Sequence, residues 1–162
     1  MSYQDVMYNE PGRLIARTKV IMLPVDGSKD SGRAASVAFE LAEMTKAKLL
    51  IVHVINLGVV QQMAKMSDTD PIVMMRRYME TGRSLLEKYR SAGLEFGLSM
   101  ELIIEQGLPS DKIIQLAKDR RVDVIVIGSR GATGEGRIVG STTERVVRYA
   151  DCAVLVIKSP NW

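Results

Sequence analysis

Cysteine and histidine are nearly absent from this chain of 162 residues, which contains one of each, Cys152 and His53. A single cysteine permits no internal disulfide, as is usual for proteins of a reducing compartment. One cysteine and one histidine also supply too few ligands for a structural zinc site. No apolar run has the length of a membrane span, and residues 1–18 lack the apolar core of a signal peptide. From these absences we expect a cytoplasmic protein without a structural zinc site and without a membrane partner.

Aromatic residues make up only 5% of the chain, and its formal net charge is only +3. The basic residues are scattered, apart from short clusters at 76–77 and 118–121 that we interpret as solvated helix faces. Few aromatics and no continuous basic stripe argue against a nucleic-acid partner. The length and the hydrophobic content of 46% are sufficient for the core of one globular domain.

Glycine, in contrast, is concentrated late in the chain. Five glycines lie among the thirteen positions from 128 to 140, and they are Gly128, Gly131, Gly134, Gly136 and Gly140. They follow a β-branched apolar run at 124–127, which predicts a strand buried on both faces. Ser141, Thr142 and Thr143 come next and predict a helix that begins with hydroxyl caps. Glycines admit a ligand close to the backbone, and a helix N-terminus favours anions, so this order predicts a phosphate site.

Two interpretations of this loop stay open. Arg130 and Arg137 are candidates to face a phosphate, but both are equally suited to be solvated residues of a loop that binds nothing. The spacing matches neither a Walker loop nor the dinucleotide fingerprint, because no Gly-Lys-Ser/Thr follows and the third glycine comes one position late.

Hydrophobic periodicity predicts an alternation of strands and helices along the chain. The predicted strands are 19–25, 49–55, 98–105, 124–127 and 152–158, and the predicted helices are 31–46, 71–93, 112–120 and 142–149. Residues 56–69 are expected to form a long link, and the helix that begins after Asp70 is expected to end at a glycine cap, Gly93. Five strands alternating with four helices indicate βαβ units and a parallel sheet covered by helices on both faces, an α/β fold.

Four short patterns occur in a recognisable order. They are Pro24-x-Asp26-x-Ser28 after the first strand, His53-Val54 in the second, Gly107-x-Pro109 after the third, and Gly128-x2-Gly131-x8-Gly140-Ser141 after the fourth. Together they resemble the universal stress protein family over about residues 19–158, between an extension at 1–18 and a tail at 159–162. The family's ATP-binding members have nine residues where this chain has eight, at 132–139. The resemblance implies a Rossmann-like open sheet of strand order 3-2-1-4-5.

The resemblance also implies a binding site for ATP or AMP. The adenosine contacts would be Pro24, Val25, Asp26, Val54 and Ile127, and the phosphate contacts would be Gly128, Ser129, Arg130, Gly131, Gly140, Ser141 and Thr142. Mg²⁺ would bind through the phosphates, since no carboxylate cage accompanies them. On residue chemistry alone, Asp26 is suited to ribose hydroxyls, to a metal, or to capping the next helix. A homodimer through residues 153–157 is expected, because that apolar strand would lie at an open edge of the sheet.

Three functions remain in competition. The first is a nucleotide-binding regulatory protein of the stress response. The second is a slow ATP hydrolase, for which Asp26, Arg130 and Arg137 are the only nearby candidates. The third is a dimeric interaction module without nucleotide, which the shortened loop favours. We interpret His53 as a core residue, since no suitable nucleophile accompanies it.

Overall fold

The computed structural model describes residues 12–130 and 139–158. The strands within this part of the chain are β1 (Val20–Pro24), β2 (Lys48–Asn56), β3 (Met100–Gly107), β4 (Val124–Gly128) and β5 (Ala153–Ile157). The helices within it are α1 (Lys29–Thr45), α2 (Leu57–Met66), α3 (Pro71–Leu94), α4 (Pro109–Asp119) and α5 (Ser141–Tyr149). All nine predicted elements are present, with ends that differ by at most three residues, and α2 is an additional helix.

The strands form one sheet of order β3-β2-β1-β4-β5, in which every neighbouring pair is parallel. The central strand β1 pairs with β2 from Val20 opposite Lys48, and with β4 from Ile21 opposite Val124. The predicted α/β fold and strand order are therefore confirmed. Because all strands run the same way, their carboxyl ends meet along one edge of the sheet.

Helices cover both faces of the sheet, as predicted. Ile21 and Leu23 of β1 pack in one cluster with residues of α1 and α3, whereas Met22 packs in the opposite cluster with residues of α4 and α5. All three β1 side chains are fully buried. The alternation of side chains along a strand thus divides the core into two layers.

The predicted link at 56–69 is wrong, because these residues contain α2. Asn56 caps this helix by accepting the Val59 N–H at 3.3 Å. Val60 and Ala64 are buried on its inner face and pack with Ile55 of β2. The apolar stripe of α2 is short, so the helix depends on tertiary packing that local periodicity does not reveal.

The predicted glycine cap of α3 is also wrong. The helix continues through Gly93 to Leu94, and its C-cap residue Glu95 has an ordinary φ of −65°. The left-handed glycine comes later, at Gly97 with φ 66°. Gly93 is buried in the helix, where a Cβ would overlap the Met100 Sδ. The glycine therefore serves close packing of α3 on β3, and not helix termination.

The predicted extension and tail lie largely outside the described residues. Of the extension, residues 12–18 are described, and a turn there is closed by the Arg17 N–H donating to the Arg13 carbonyl at 3.2 Å. None of the helices in the described ranges is long and apolar enough to cross a membrane.

Candidate functional site

A cleft of about 630 Å³ opens at the carboxyl ends of the strands. This volume lies within the usual range of small-molecule sites, about 300–1,000 Å³. The predicted contact residues that line it are Pro24, Val25, Asp26, Val54, Ile127, Gly128, Arg130, Gly140, Ser141 and Thr142. They come from β1, β2, β4 and the start of α5, so the parallel sheet brings distant parts of the sequence into one cavity.

Two other predicted contact residues are not part of the described lining. Ser129 is buried, with 1% of its surface exposed, and its hydroxyl donates to Asp30 Oδ2 at 2.8 Å. Gly131 lies outside the described residues, as does Arg137. The role of each lining residue toward a ligand stays a prediction.

The sequence interpretation missed several residues that line the cleft. Val59 comes from α2, Tyr78 from α3, and Pro109 and Ile113 from α4. They occur in ordinary amphipathic helices, and only the packing of those helices against the sheet brings them to the cleft. Asn56 has a recognisable signal, since an asparagine before an apolar stripe is a good helix cap.

Asp26 lies at the exposed mouth of the cleft in a tight turn. Its Oδ1 accepts the Ser28 N–H at 2.9 Å, and Gly27 between them has a φ of 83°. Ser28 is the cap of α1, because its Oγ accepts the Ser31 N–H at 3.1 Å. Asp26 therefore does not cap α1, and its side chain is exposed at the cleft.

His53 is held in place by the backbone. Its Nδ1 lies 2.8 Å from the Val25 carbonyl oxygen, which can only accept, so Nδ1 carries the proton. A Cβ on the neighbouring Gly82 of α3 would lie 2.8 Å from the His53 ring. This arrangement favours the structural interpretation of His53 over catalysis.

The helix α5 begins at the cleft without a side-chain cap. Its N-cap is Gly140, for which no side-chain capping bond is made, so the predicted hydroxyl cap is wrong. The Gly140 N–H donates to the Ser129 carbonyl at 2.6 Å. The next two N–H groups belong to Ser141 and Thr142, and they have no partner within the helix because they lie in its first turn. The positive end of the α5 dipole therefore faces the cleft, which suits an anion.

Thr143 fastens α5 to the end of β4. Its Oγ1 donates to the Gly128 carbonyl at 2.7 Å, and both groups are buried. The sequence predicts Thr143 to be one of the hydroxyl caps of this helix, but Thr143 instead donates to the preceding strand. The N–H groups of α5 are thereby held at a constant position relative to the sheet.

A buried carboxylate lies beside the start of the glycine-rich loop. Asp30 is 4% exposed, and its Oδ2 accepts hydrogen bonds from Ser129 Oγ at 2.8 Å, from the Arg130 N–H at 3.0 Å and from Arg130 Nε at 3.3 Å. A Cβ on Gly128 would lie 2.7 Å from the Asp30 backbone carbon, so only glycine permits this approach.

Carboxylates do not gather into a metal site in the part of the chain described. No group of three or more His, Cys, Asp and Glu residues suited to a metal ion occurs within 12–130 and 139–158. A divalent ion at this cleft would therefore take most of its ligands from a bound phosphate and water.

The sequence profile of the universal stress protein family matches residues 17–158, which is most of the chain. The chain belongs to the universal stress protein family. It is 32% identical over 144 residues to Universal stress protein MJ0531 of Methanocaldococcus jannaschii, a match that spans 88% of this chain and 84% of that protein.

Solved structures show that the fold of this universal stress protein is shared. The hypothetical protein MJ0577 of Methanocaldococcus jannaschii superimposes with a TM-score of 0.80 at 24% identity, covering 90% of this chain and 99% of that one. A universal stress protein in complex with cAMP superimposes with a TM-score of 0.64 at 25% identity, covering 88% and 98%. Members from Arabidopsis thaliana and Archaeoglobus fulgidus, solved with AMP and with dAMP, have the same fold.

Proposed function

We propose that this universal stress protein is a regulatory protein of the stress response that binds ATP or AMP in the cleft at the carboxyl ends of β1, β2 and β4. The observation that carries the proposal is the start of α5, which has no side-chain cap and opens into a cleft of about 630 Å³. Support also comes from the solved relative that holds cAMP.

The cleft offers a different chemistry to each part of the ligand. Val25, Val54 and Ile127 supply apolar surface for a base. The carboxylate of Asp26 is suited to accept ribose hydroxyls. The N–H groups and hydroxyls of Ser141 and Thr142 would donate to phosphate oxygens, with Mg²⁺ bound through the phosphates.

Calorimetric titration tests the proposal, after extraction and identification of any nucleotide that co-purifies. We expect micromolar binding of ATP or AMP, or an adenine nucleotide already present. No bound nucleotide and no heat at millimolar ATP would refute the proposal. That result would favour the nucleotide-free interaction module, which the eight-residue loop at 132–139 supports.

Ser141 permits a sharper test, because it is the first residue of α5. Proline is well tolerated at this position and has no N–H. Gly140 before it has φ −73° and ψ 159°, which is the conformation that a following proline requires. Ser141→Pro therefore removes one N–H from the proposed phosphate site with little disturbance of the helix.

The matched control is Ser141→Ala, which removes the hydroxyl and keeps the N–H. We expect ATP to bind about tenfold more weakly to Ser141→Pro than to Ser141→Ala, because a hydrogen bond to a charged group contributes about 1.5–3 kcal/mol. Equal affinities for the two variants would exclude the N-terminus of α5 as the phosphate site.

Hydrolysis is the competing activity on the same cleft. An ATPase assay of the parent protein and of Asp26→Ala separates the two, since a binding protein turns over little ATP in either form. Rapid turnover that Asp26→Ala abolishes would establish an enzyme.

We also propose that the protein is a homodimer through β5. The support is that β5 lies at the edge of the sheet, where Leu155 is 41% exposed. Val147 and Tyr149 of α5 are apolar side chains that are also exposed, at 51% and 54%. Antiparallel pairing with the same strand of a second copy would satisfy the open backbone groups. We expect a dimer by light scattering at micromolar concentration.

A lysine at position 155 places a charge on this edge and opposes strand pairing. We expect Leu155→Lys to be a monomer, whereas Ile72→Lys, at a residue of α3 that is 71% exposed, leaves the dimer intact. A parent protein that is already monomeric would contradict the proposal.

A further inference from the structure

Asp30 joins the start of α1 to the start of the glycine-rich loop. Its Oδ2 accepts three hydrogen bonds from two consecutive residues, Ser129 and Arg130, although they lie about a hundred positions later in the chain. A carboxylate that is only 4% exposed needs such partners, because an unpaired buried charge is costly. Asp30 therefore constrains the backbone and the side chain of Arg130 together.

Arg130 belongs to both this network and the cleft. Its side chain is 28% exposed and lines the cavity, while its backbone N–H and its Nε–H donate to Asp30. The guanidinium has five N–H donors, and the groups on Nη1 and Nη2 are suited to an anion in the cleft. The arginine is thus held at the cavity wall by one carboxylate, with its outer nitrogens left to face a ligand.

The network lies at the anion-binding end of the cleft. Ser129, whose hydroxyl is bound to Asp30, also accepts the N–H of Gly140, the N-cap of α5. Thr143 of α5 is bound in turn to Gly128. Asp30 therefore contributes to the same rigid assembly that holds the N–H groups of α5, and Arg130 adds its charge at that end.

We propose that Asp30 is a positioning residue that holds Arg130 toward the phosphate groups and so makes the protein prefer phosphorylated nucleosides to unphosphorylated ones. This inference rests on the proposed binding of adenine nucleotides and deepens it, because it assigns the discrimination to one pair of residues. Asp30 itself does not contact the ligand.

The sign of the effect distinguishes this role from simple electrostatics. If Asp30 acted only through its charge, its removal would strengthen ATP binding, because a negative charge near the phosphates would disappear. If Asp30 positions Arg130, its removal weakens ATP binding, because the guanidinium loses the partner that holds it. The two explanations predict opposite changes.

The experiment measures the affinities of Asp30→Asn for ATP and for adenosine by calorimetry. Asparagine keeps an oxygen acceptor of the same size and removes the charge that holds the guanidinium. We expect about tenfold weaker binding of ATP and a change of less than about twofold for adenosine, since the lost contact is a charge-assisted one. Adenosine binding and the thermal midpoint report whether the fold and the cleft are intact.

Asp111→Asn is the matched control. Asp111 also pairs with an arginine, Arg145 at 3.1 Å, but its side chain is 59% exposed and it is not part of the cleft lining. This variant removes the same formal charge, so it measures the general electrostatic effect. We expect its ratio of ATP to adenosine affinity to equal that of the parent protein.

Arg130→Gln completes a double-mutant cycle. We expect it to lose about as much ATP affinity as Asp30→Asn, and we expect the double variant to lose no more than either single one. This variant also tests the inference if Asp30→Asn is poorly folded, because it keeps the hydrogen bonds that Asp30 accepts from the Ser129 hydroxyl and from the backbone N–H of residue 130.

The outcomes are separable from those of the proposed function. A parent protein that binds neither ATP nor adenosine overturns both proposals. A parent protein that binds ATP, with an unchanged ratio in Asp30→Asn and Arg130→Gln, overturns only this inference. Equal losses of ATP and adenosine affinity in Asp30→Asn would show that Asp30 has only a structural role. Stronger ATP binding by Asp30→Asn would show that Asp30 acts only through its charge.

Discussion

Replacing Gly82 with alanine tests how closely α3 packs on the sheet. A Cβ at this buried position would lie 2.8 Å from His53 Cδ2 and 2.9 Å from Ile104 Cδ1. Overpacking of this kind costs about 1–3 kcal/mol. Alanine stabilises a helix by about 1 kcal/mol relative to glycine, and this gain offsets part of the overpacking cost. We therefore expect Gly82→Ala to lower the free energy of unfolding by about 1 kcal/mol.

Gly32 provides the matched control, because it also lies within a helix, α1. The nearest atom to a Cβ there would be the Tyr89 hydroxyl oxygen, at 3.7 Å, an ordinary contact. Gly32→Ala should therefore keep the full benefit of about 1 kcal/mol in helix propensity. Since both variants gain the same propensity, their difference of about 2 kcal/mol isolates the packing cost.

Thermal unfolding followed by circular dichroism measures this difference. For a domain of this size, 1 kcal/mol corresponds to about 2–4 °C, so the two midpoints should differ by about 4–8 °C. A second readout is nucleotide affinity, since the His53 ring lines the cleft and is bonded to the Val25 carbonyl. If Gly82→Ala proves as stable as Gly32→Ala, the close packing of α3 on His53 is refuted.

Three further predictions concern single interactions. Thr143→Val should lower the free energy of unfolding in urea by about 1–3 kcal/mol, because the buried Gly128 carbonyl loses its donor. Thr143→Ser should keep most of this stability, because serine keeps the hydroxyl donor. The hydrogen bond from Arg120 lowers the pKa of Glu101, so this pair stabilises the fold above the ordinary glutamate pKa of about 4.3 and loses that effect as the pH falls. Glu101→Gln should therefore cost less than about 1 kcal/mol at pH 7, since the side chains are about one-third exposed, and progressively less as the pH falls through the lowered pKa of Glu101. Burial raises the pKa of the Cys152 thiol, so iodoacetamide at pH 7 should alkylate it far more slowly in the native protein than in urea, and equal rates would contradict its burial.

Much of the fold could be predicted because its signals are local. The β-branched run at 124–127 and the apolar periods of α1 and α4 mark buried elements wherever they occur in a chain. The strand order followed from the resemblance to a family, and not from periodicity. Local signals failed for α2, whose buried residues Val60 and Ala64 are too few to mark a helix without the neighbouring helix that covers them.

The residues of the candidate site also divide into those that local sequence signals predict and those that they do not. Gly128, Gly140 and Ser141 are conspicuous in the sequence because a strand, a glycine-rich loop and a helix follow one another there. Tyr78 and Val59 have no such signal, because they belong to helices whose placement over the cleft depends on packing.

By itself, then, the sequence determined the order along the chain of the five strands and of the helices other than α2, the parallel sheet, and the edge at which a ligand site would form. These depend on short-range periodicity and on the direction of the strands. Only the tertiary structure decided that Asp30 binds Ser129 and Arg130, and that Gly82 and Gly93 serve close packing. Such contacts join segments far apart in the chain, and they depend on how each helix is placed and rotated against the sheet, which no local pattern specifies.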